Sequence, residues 1–375
     1  MSAAVPSAGG AAAAPIAAQR LAAQQIARRA FRKPAELVAW MGALQAQEPL
    51  AARWAMGLRL GGPAGGAAAR ADAITESLAD GSVLRTHVLR WTWQLVTPAD
   101  LHWMLPLVAP RLMARAARRH RELALDAKTF RRAEAAFTRA LGDGAHRTRA
   151  ELGAALRAAG VAPDGQRLGH LLGHAELQGL ICSGAPRAKQ ATWALIALRA
   201  PPTGRALPRD EALAELARRY FRSRGPATAA DFAWWSGLAP AEARAGLAAV
   251  ATELASQSIA GLTYWRARGT PLVPAAALAD AYLLPAFDEY LVAYRDRSAV
   301  LGARDARQIN AGGGLLAPTV VVGGRVVGVW RRTLGRGVVT IALSLFEKPA
   351  PRERACIVAA AERYGAFLGL ETEIV

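Results

Sequence analysis

TRAELGAALRAAGVAPDGQRLGHLLGHAELQGLICSGAPRAKQATWALIAL, residues 148–198, carries the fold in miniature. Thr148 and Glu151 have the spacing of a capping box, ahead of Leu152 and Leu156 on one helical face. The turn at residues 160–165 holds two glycines and a proline. Leu168, Leu171, Leu172 and Leu177 then predict a second helix over 166–179. Residues 180–183 and 191–198 read as two strands around a turn at 184–189. Two helices followed by a small hairpin make a helix–turn–helix with a wing.

Two looser versions of this order flank it. Residues 19–60 read as helical, with Pro34 placed to open a helix and Leu37, Met41 and Leu44 on one face. Pro49 is expected to end that helix, because it pushes Glu48 out of the helical region. A Gly-rich loop at 61–66, a short helix at 71–78 and strand-rich 83–96 complete the unit. The other version starts after a Pro/Gly linker at 201–207. It runs through Phe232, Trp234 and Trp235 to a helix at 241–254 and a strand at 259–268. Residues 112–140 predict one long Arg-laden helix.

From residue 283 the pattern changes to Val-rich segments at 318–322, 326–330 and 338–345, divided by Gly-rich turns. An amphipathic helix closes the chain at 352–368. The expected architecture is therefore mainly α with small β wings: three tandem winged-helix units plus a C-terminal β-barrel-like domain. The expected boundaries are a loose tail over 1–16, winged helices over 17–97, 148–200 and 201–270, a helical connector over 98–147, and the β-rich domain over 271–375.

The 375 residues carry 47 Lys+Arg against 29 Asp+Glu, a net charge of +18. Lysine stands only at Lys33, Lys128, Lys189 and Lys348, so nearly all of the positive charge is arginine. A GC-rich genome raises Arg together with Ala, Gly and Pro, but it does not explain an excess of Arg over acids. That excess favours a polyanion, most simply nucleic acid. Arg111, Arg115, Arg118 and Arg119 fall within one face of a helix that could track phosphates. Two cysteines, Cys182 and Cys356, make no disulfide framework. The first fifteen residues lack a signal peptide's basic and Leu-rich regions. No uninterrupted apolar run is long enough to span a bilayer. A cytoplasmic, nucleoid-associated monomer is expected.

Other chemistries find little support. Gly312-Gly313-Gly314 lacks the Lys-Ser/Thr of a nucleotide loop and reads as a hairpin turn. His170 and His174 have the spacing of a metal pair, but neither a zincin glutamate nor a third ligand accompanies them, so no metal is expected. Asp288 and Glu289 read as a structural network with Tyr290, Arg295 and Arg297. By spacing alone, Gln45 and Gln47 read as two ordinary polar residues at a helix terminus.

Five stretches change that reading: LQAQEPLAARWAMGLR (44–59), LRTHVLRWTWQLVTPADL (84–101), AELQGLICSG (175–184), GPATAADFAWWSGL (225–238) and LLPAFDEYLVAYRDR (283–297). In this order they resemble the winged-helix DNA glycosylases of the AlkZ/YcaQ type. The resemblance implies three tandem winged helices and a C-terminal β-barrel curved around duplex DNA. It also implies hydrolysis of the N-glycosidic bond of N7-alkylated purines, without a cofactor. The family's catalytic signature, Gln-Φ-Gln or Gln-Φ-Asp, falls on Gln45-Ala46-Gln47, with Glu48 and Gln94 as possible assistants. One departure stands out: relatives carry His where Gln94 stands and often Pro or Gly where Trp91 stands. Arg59, Arg85, Arg90, Arg111, Arg115, Arg118 and Arg119 are the expected DNA contacts. The signature glutamines are expected to be partly exposed. The alternative is a non-catalytic winged-helix protein that binds DNA as a regulator.

Overall fold

The computed structural model describes residues 10–62, 66–273, 280–310, 312 and 316–375. It is mostly helical and divides into two compact units. One unit gathers residues up to 74, 214–235 and 239–375; the other holds 75–213 and 236–238.

In the first unit, helix α1 (Gly10–Ala23) begins inside the stretch expected to be a loose tail. The run Gly10–Ala23 is Ala-rich, and alanine is the strongest helix former. Residues 1–9 of that expected tail lie outside the described residues. Helix α2 (Pro34–Met41) opens on Pro34 and stops at Gly42, whose φ of 72° suits glycine. A two-residue strand β1 (Leu44–Gln45) follows, then helix α3 (Pro49–Arg59). Pro49 thus starts a helix where it was expected to end one. Its missing N–H is an orphan donor in any first turn, and the extended backbone it imposes on Glu48 is the backbone of an N-cap. Helix α4 (Gly66–Asp80) leads into the other unit.

That second unit begins with an antiparallel hairpin of β2 (Leu84–His87) and β3 (Trp93–Val96), in which Thr86 lies opposite Gln94. The single helix expected over 112–140 is two: α5 (Pro98–Glu122) and α6 (Ala127–Leu141). Ala124 between them takes a positive φ of 50°, and Asp126 caps α6 by accepting from the Thr129 N–H. Next come β4 (Arg147–Thr148), α7 (Arg149–Ala158), α8 (Arg167–Leu177), β5 (Ile181–Ser183), β6 (Thr192–Leu195) and the short α9 (Ile196–Arg199). The Thr148/Glu151 capping box forms as expected. The sheet order is β4-β6-β5, and Leu152, Leu156, Leu171, Leu172, Phe137 and Trp193 share one buried core.

The chain returns to the first unit through α10 (Arg209–Arg224), α11 (Ala229–Ser236) and α12 (Pro240–Ala249). A hairpin of β7 (Leu254–Ile259) and β8 (Leu262–Ala267) follows. Ala260 and Gly261 both have positive φ, the requirement of a two-residue turn that matches strand twist. Only the second strand of this pair was expected, because Ser256, Gln257 and Ser258 hide the alternation of the first. The C-terminal part holds β9 (Ala281–Leu284), α13 (Glu289–Val292), β10 (Thr319–Val322), β11 (Arg325–Leu334), β12 (Val338–Leu345), α14 (Pro351–Leu368) and β13 (Glu371–Ile374). Its sheet, in the order β13-β12-β11-β10-β9, is an open, curled half-barrel; no closing pair joins β13 to β9. Of the expected Gly312–Gly314 turn, residues 313 and 314 lie outside the described residues.

Helix α3 packs on α14 because Gly57 has no side chain: a Cβ there would lie 2.5 Å from the Phe367 ring. Trp54 sits edge-on to Tyr364 at 5.1 Å, and Tyr364 to Trp330 at 5.0 Å. The indole N–H of Trp54 donates to the Leu283 carbonyl at 2.7 Å, and that of Trp330 to Leu284 at 2.8 Å. These contacts hold the middle and last turn of α3 against α14 and the C-terminal sheet.

Candidate active site

Between Gly42 and Pro49 the chain alternates. Leu44 and Ala46 are buried, Gln45 is half-buried and Gln47 is exposed. In a helix, residues two apart point about 200° apart. In an extended segment they share a face. The break between α2 and α3 therefore leaves the two apolar residues buried and the two amide residues at least partly exposed.

A buried ion pair grips the backbone of this segment. The Arg224 guanidinium donates to the carbonyls of Met41 and Ala43, each at 2.6 Å. It also donates through Nε and a terminal nitrogen to Glu289 Oε2, at 2.8 and 2.6 Å. The Trp235 indole reaches the same oxygen at 3.0 Å. The other oxygen, Oε1, accepts the Gln45 N–H at 2.9 Å. Arg224 and Glu289 are fully buried, and Arg224 also lies over the Trp235 ring.

Glu48 is the N-cap of α3. Its Oε1 accepts from Leu50 N–H at 2.9 Å, its Oε2 from Ala51 N–H at 2.7 Å, and Arg332 reaches Oε2 at 3.0 Å. Both oxygens are thus engaged in structural contacts.

Arg59, an expected DNA contact, is fully buried. It binds Asp288 with both terminal nitrogens, at 2.8 and 2.7 Å, and also reaches the Ala55 carbonyl and Gln24. A buried carboxylate requires such a partner. Asp288 and Glu289 are indeed structural, but their partners are Arg59 and Arg224, not Arg295 and Arg297. Arg297 instead donates to the Leu291 carbonyl, and the Arg295 N–H to Asp231. Nothing local in the sequence marks Arg224 or Trp235. The one signal was the adjacency of two acids in an apolar run, which demands two buried cations.

The remaining candidates lie in the other unit. Gln94 is fully buried in β3; its amide donates to Thr92 Oγ1 at 2.7 Å and its carbonyl oxygen has no partner. Its side chain is thus enclosed rather than at the surface. Arg85 lies over the Trp93 ring at 4.1 Å. Arg90 occupies a tight turn at φ 56°, followed by Trp91 at φ 58°. Arg111 donates to the Gly237 carbonyl at 3.1 Å. Arg115, Arg118 and Arg119 are exposed on α5; Arg118 and Arg119 both pair with Glu122. Exposed pairs of this kind hold little energy and yield readily to a competing phosphate.

His170 and His174 belong to an aromatic cluster. His174 stacks on Phe130 at 3.7 Å, and His120 meets His170 edge-on at 5.3 Å. Burial, reinforced by His120, pushes the His174 imidazole down to about 4. Among the described residues no group of His, Cys, Asp and Glu is placed to hold a metal ion, and no helix is long and apolar enough to cross a membrane.

A family model of AlkZ-like DNA glycosylases matches residues 38–367. The chain belongs to the AlkZ-like DNA glycosylase family. Among solved structures, the Streptomyces sahachiroi DNA glycosylase AlkZ matches with a TM-score of 0.72 at 21% identity, covering 96% of this chain and 99% of that one. No curated protein sequence matches. At that identity the structural likeness speaks for an AlkZ-like fold, whereas family membership rests on the sequence model.

Proposed function

We propose that this AlkZ-like chain is a monofunctional DNA glycosylase that releases N7-alkylated purines, including bulky adducts, from duplex DNA. Gln45 and Gln47 are its reacting-side amides. The observation that carries the reading is that both amide residues are at least partly exposed between α2 and α3, with Ala46 buried between them. An N7-alkylated purine is already cationic. When the bond from C1′ to N9 breaks, its electron pair neutralises the base, so little protonation is needed. A water then adds to the sugar's C1′ and loses a proton. The protein must place that water and stabilise positive charge developing on the sugar. Amide oxygens can do both without the repulsion that carboxylates suffer beside phosphates.

A lyase step needs an amine nucleophile. Lys33, the lysine nearest in sequence to the glutamines, stands just before the far end of α2 and pairs with Glu36. In this reading residues 17–97, 148–200 and 201–270 are winged-helix units, 98–147 a connector and 271–375 the C-terminal sheet domain. Exposed arginines such as Arg115 supply phosphate contacts.

The test is base release from a panel of N7-alkylguanine duplexes by wild type and Gln47→Ala. Wild type should leave abasic sites that are cut only by added alkali. Gln47→Ala should lose about two to three orders of magnitude in rate while still binding the duplex. Tight binding without release of any base by wild type would instead make the chain a non-catalytic DNA-binding protein.

A further inference from the structure

We infer that the buried Arg224–Glu289 pair is a positioning device for the candidate active site, acting through the main chain of residues 41–45. The inference rests on the proposed role of Gln45 and Gln47. The groups it holds are the carbonyls of Met41 and Ala43 and the N–H of Gln45. They lie within five consecutive residues, from the last residue of α2 to the second of β1, so the pair holds the chain where it leaves the helix. The side chains of Gln45 and Ala46 are left to point to either face.

The chemistry explains why a carboxylate stands at position 289. Its two oxygens face two sets of donors: Arg224 and Trp235 on Oε2, and the Gln45 N–H on Oε1. A glutamine of the same shape has one acceptor and one NH2 group. Its oxygen would stay with Arg224, where the hydrogen bond is charge-assisted. Its NH2 would then face the Gln45 N–H, donor against donor, and push the segment away. Asp288, the neighbouring residue, provides an internal comparison. It is as deeply buried and equally ion-paired, but its partners are Arg59 and the Tyr290 N–H.

The experiment compares Glu289→Gln and Asp288→Asn in the full chain. It reads single-turnover base release at saturating enzyme, duplex affinity, melting temperature and hydrogen exchange at the Gln45 amide. Glu289→Gln should lower the rate about 10- to 100-fold, the scale of a small misplacement of a reacting group. Its duplex affinity should change less than about twofold, and the Gln45 amide should exchange faster while the fold persists. Asp288→Asn should lower the melting temperature, yet keep the rate within about threefold and the Gln45 protection intact. A folded Glu289→Gln with wild-type rate and wild-type Gln45 protection overturns the inference, as does a loss of rate that merely follows melting temperature in both variants. Should Glu289→Gln fail to fold, Trp235→Phe, which removes one donor from Oε2 and keeps a ring, takes its place with an expected loss of about 3- to 10-fold. If Gln47→Ala keeps full activity, the proposed role of the glutamines fails, while Gln45 protection still reports on the clamp.

Discussion

Arg332 of β11 donates to the Glu48 carboxylate at 3.0 Å, and that carboxylate caps the helix that starts one residue later. The residue after Gln47 is thereby tied at once to α3 and to the curled sheet. Replacing Glu48 with Ala should remove the cap and cost about 1–2 kcal/mol in chemical denaturation. The base-release rate should fall by less than about tenfold, since both Glu48 oxygens are committed to structure. A loss as large as that of Gln47→Ala would return Glu48 to the chemistry.

Arg59→Ala should leave Asp288 buried and unpaired, at a cost of about 3–5 kcal/mol. The folded fraction should bind duplex DNA with the salt dependence of wild type, because a fully buried guanidinium touches no phosphate. Titration of the variant below its melting temperature at several salt concentrations checks both halves of the expectation.

Wild-type affinity for duplex DNA should fall steeply with salt. With six or more phosphate contacts the drop is about three orders of magnitude between low and moderate salt. Arg115→Ala, on the exposed face of α5, should weaken binding across all sequences and reduce the log–log slope by about one. Fluorescence anisotropy with duplexes of unrelated sequence measures the slope, and a salt-independent affinity would refute this source of binding.

Acid should weaken the histidine cluster of the second unit. Burial holds His120, His170 and His174 below the ordinary histidine range, His174 at about 4. The unfolded chain binds these protons near pH 6.5, before the folded one does. Stability from this source is therefore complete above about pH 6.5 and is lost as pH falls toward 4. The loss is of order 1–3 kcal/mol for His174. Glu134, 3.3 Å from the His174 ring, works the other way: burial raises its carboxyl, so its penalty is relieved as pH falls. His174→Phe, which preserves the stack on Phe130, should flatten the melting profile between pH 4 and 6.5.

Some of this was written locally. Pro34 opening α2, the Thr148/Glu151 box and the leucines of α7 and α8 act within one or two turns, where backbone and neighbouring side chains suffice. The pairing of the acids was not. Asp288 and Arg59 lie 229 residues apart, and Glu289 lies 244 from the Gln45 N–H it accepts. No periodicity reports a contact at such separation, and an arginine on an amphipathic helix looks the same whether it meets water or a buried carboxylate. Arg59 was for that reason assigned to DNA.

The sequence by itself pointed to Gln45 and Gln47 as candidates only through its resemblance to the AlkZ-like family; their spacing alone read as two ordinary polar residues. It also determined the starts of α2 and α7 and the surplus of arginine, since capping, proline geometry and charge are local properties. Only the tertiary structure decided that Gln45 and Gln47 stay at least partly exposed while Leu44 and Ala46 are buried. Local preference would extend the α2 helix through them; instead Arg224 and Glu289 take up the backbone groups of residues 41, 43 and 45. Once those three groups are satisfied by residues distant in sequence, the chain can leave the helix there without orphaning them, and burial alternates along residues 44–47.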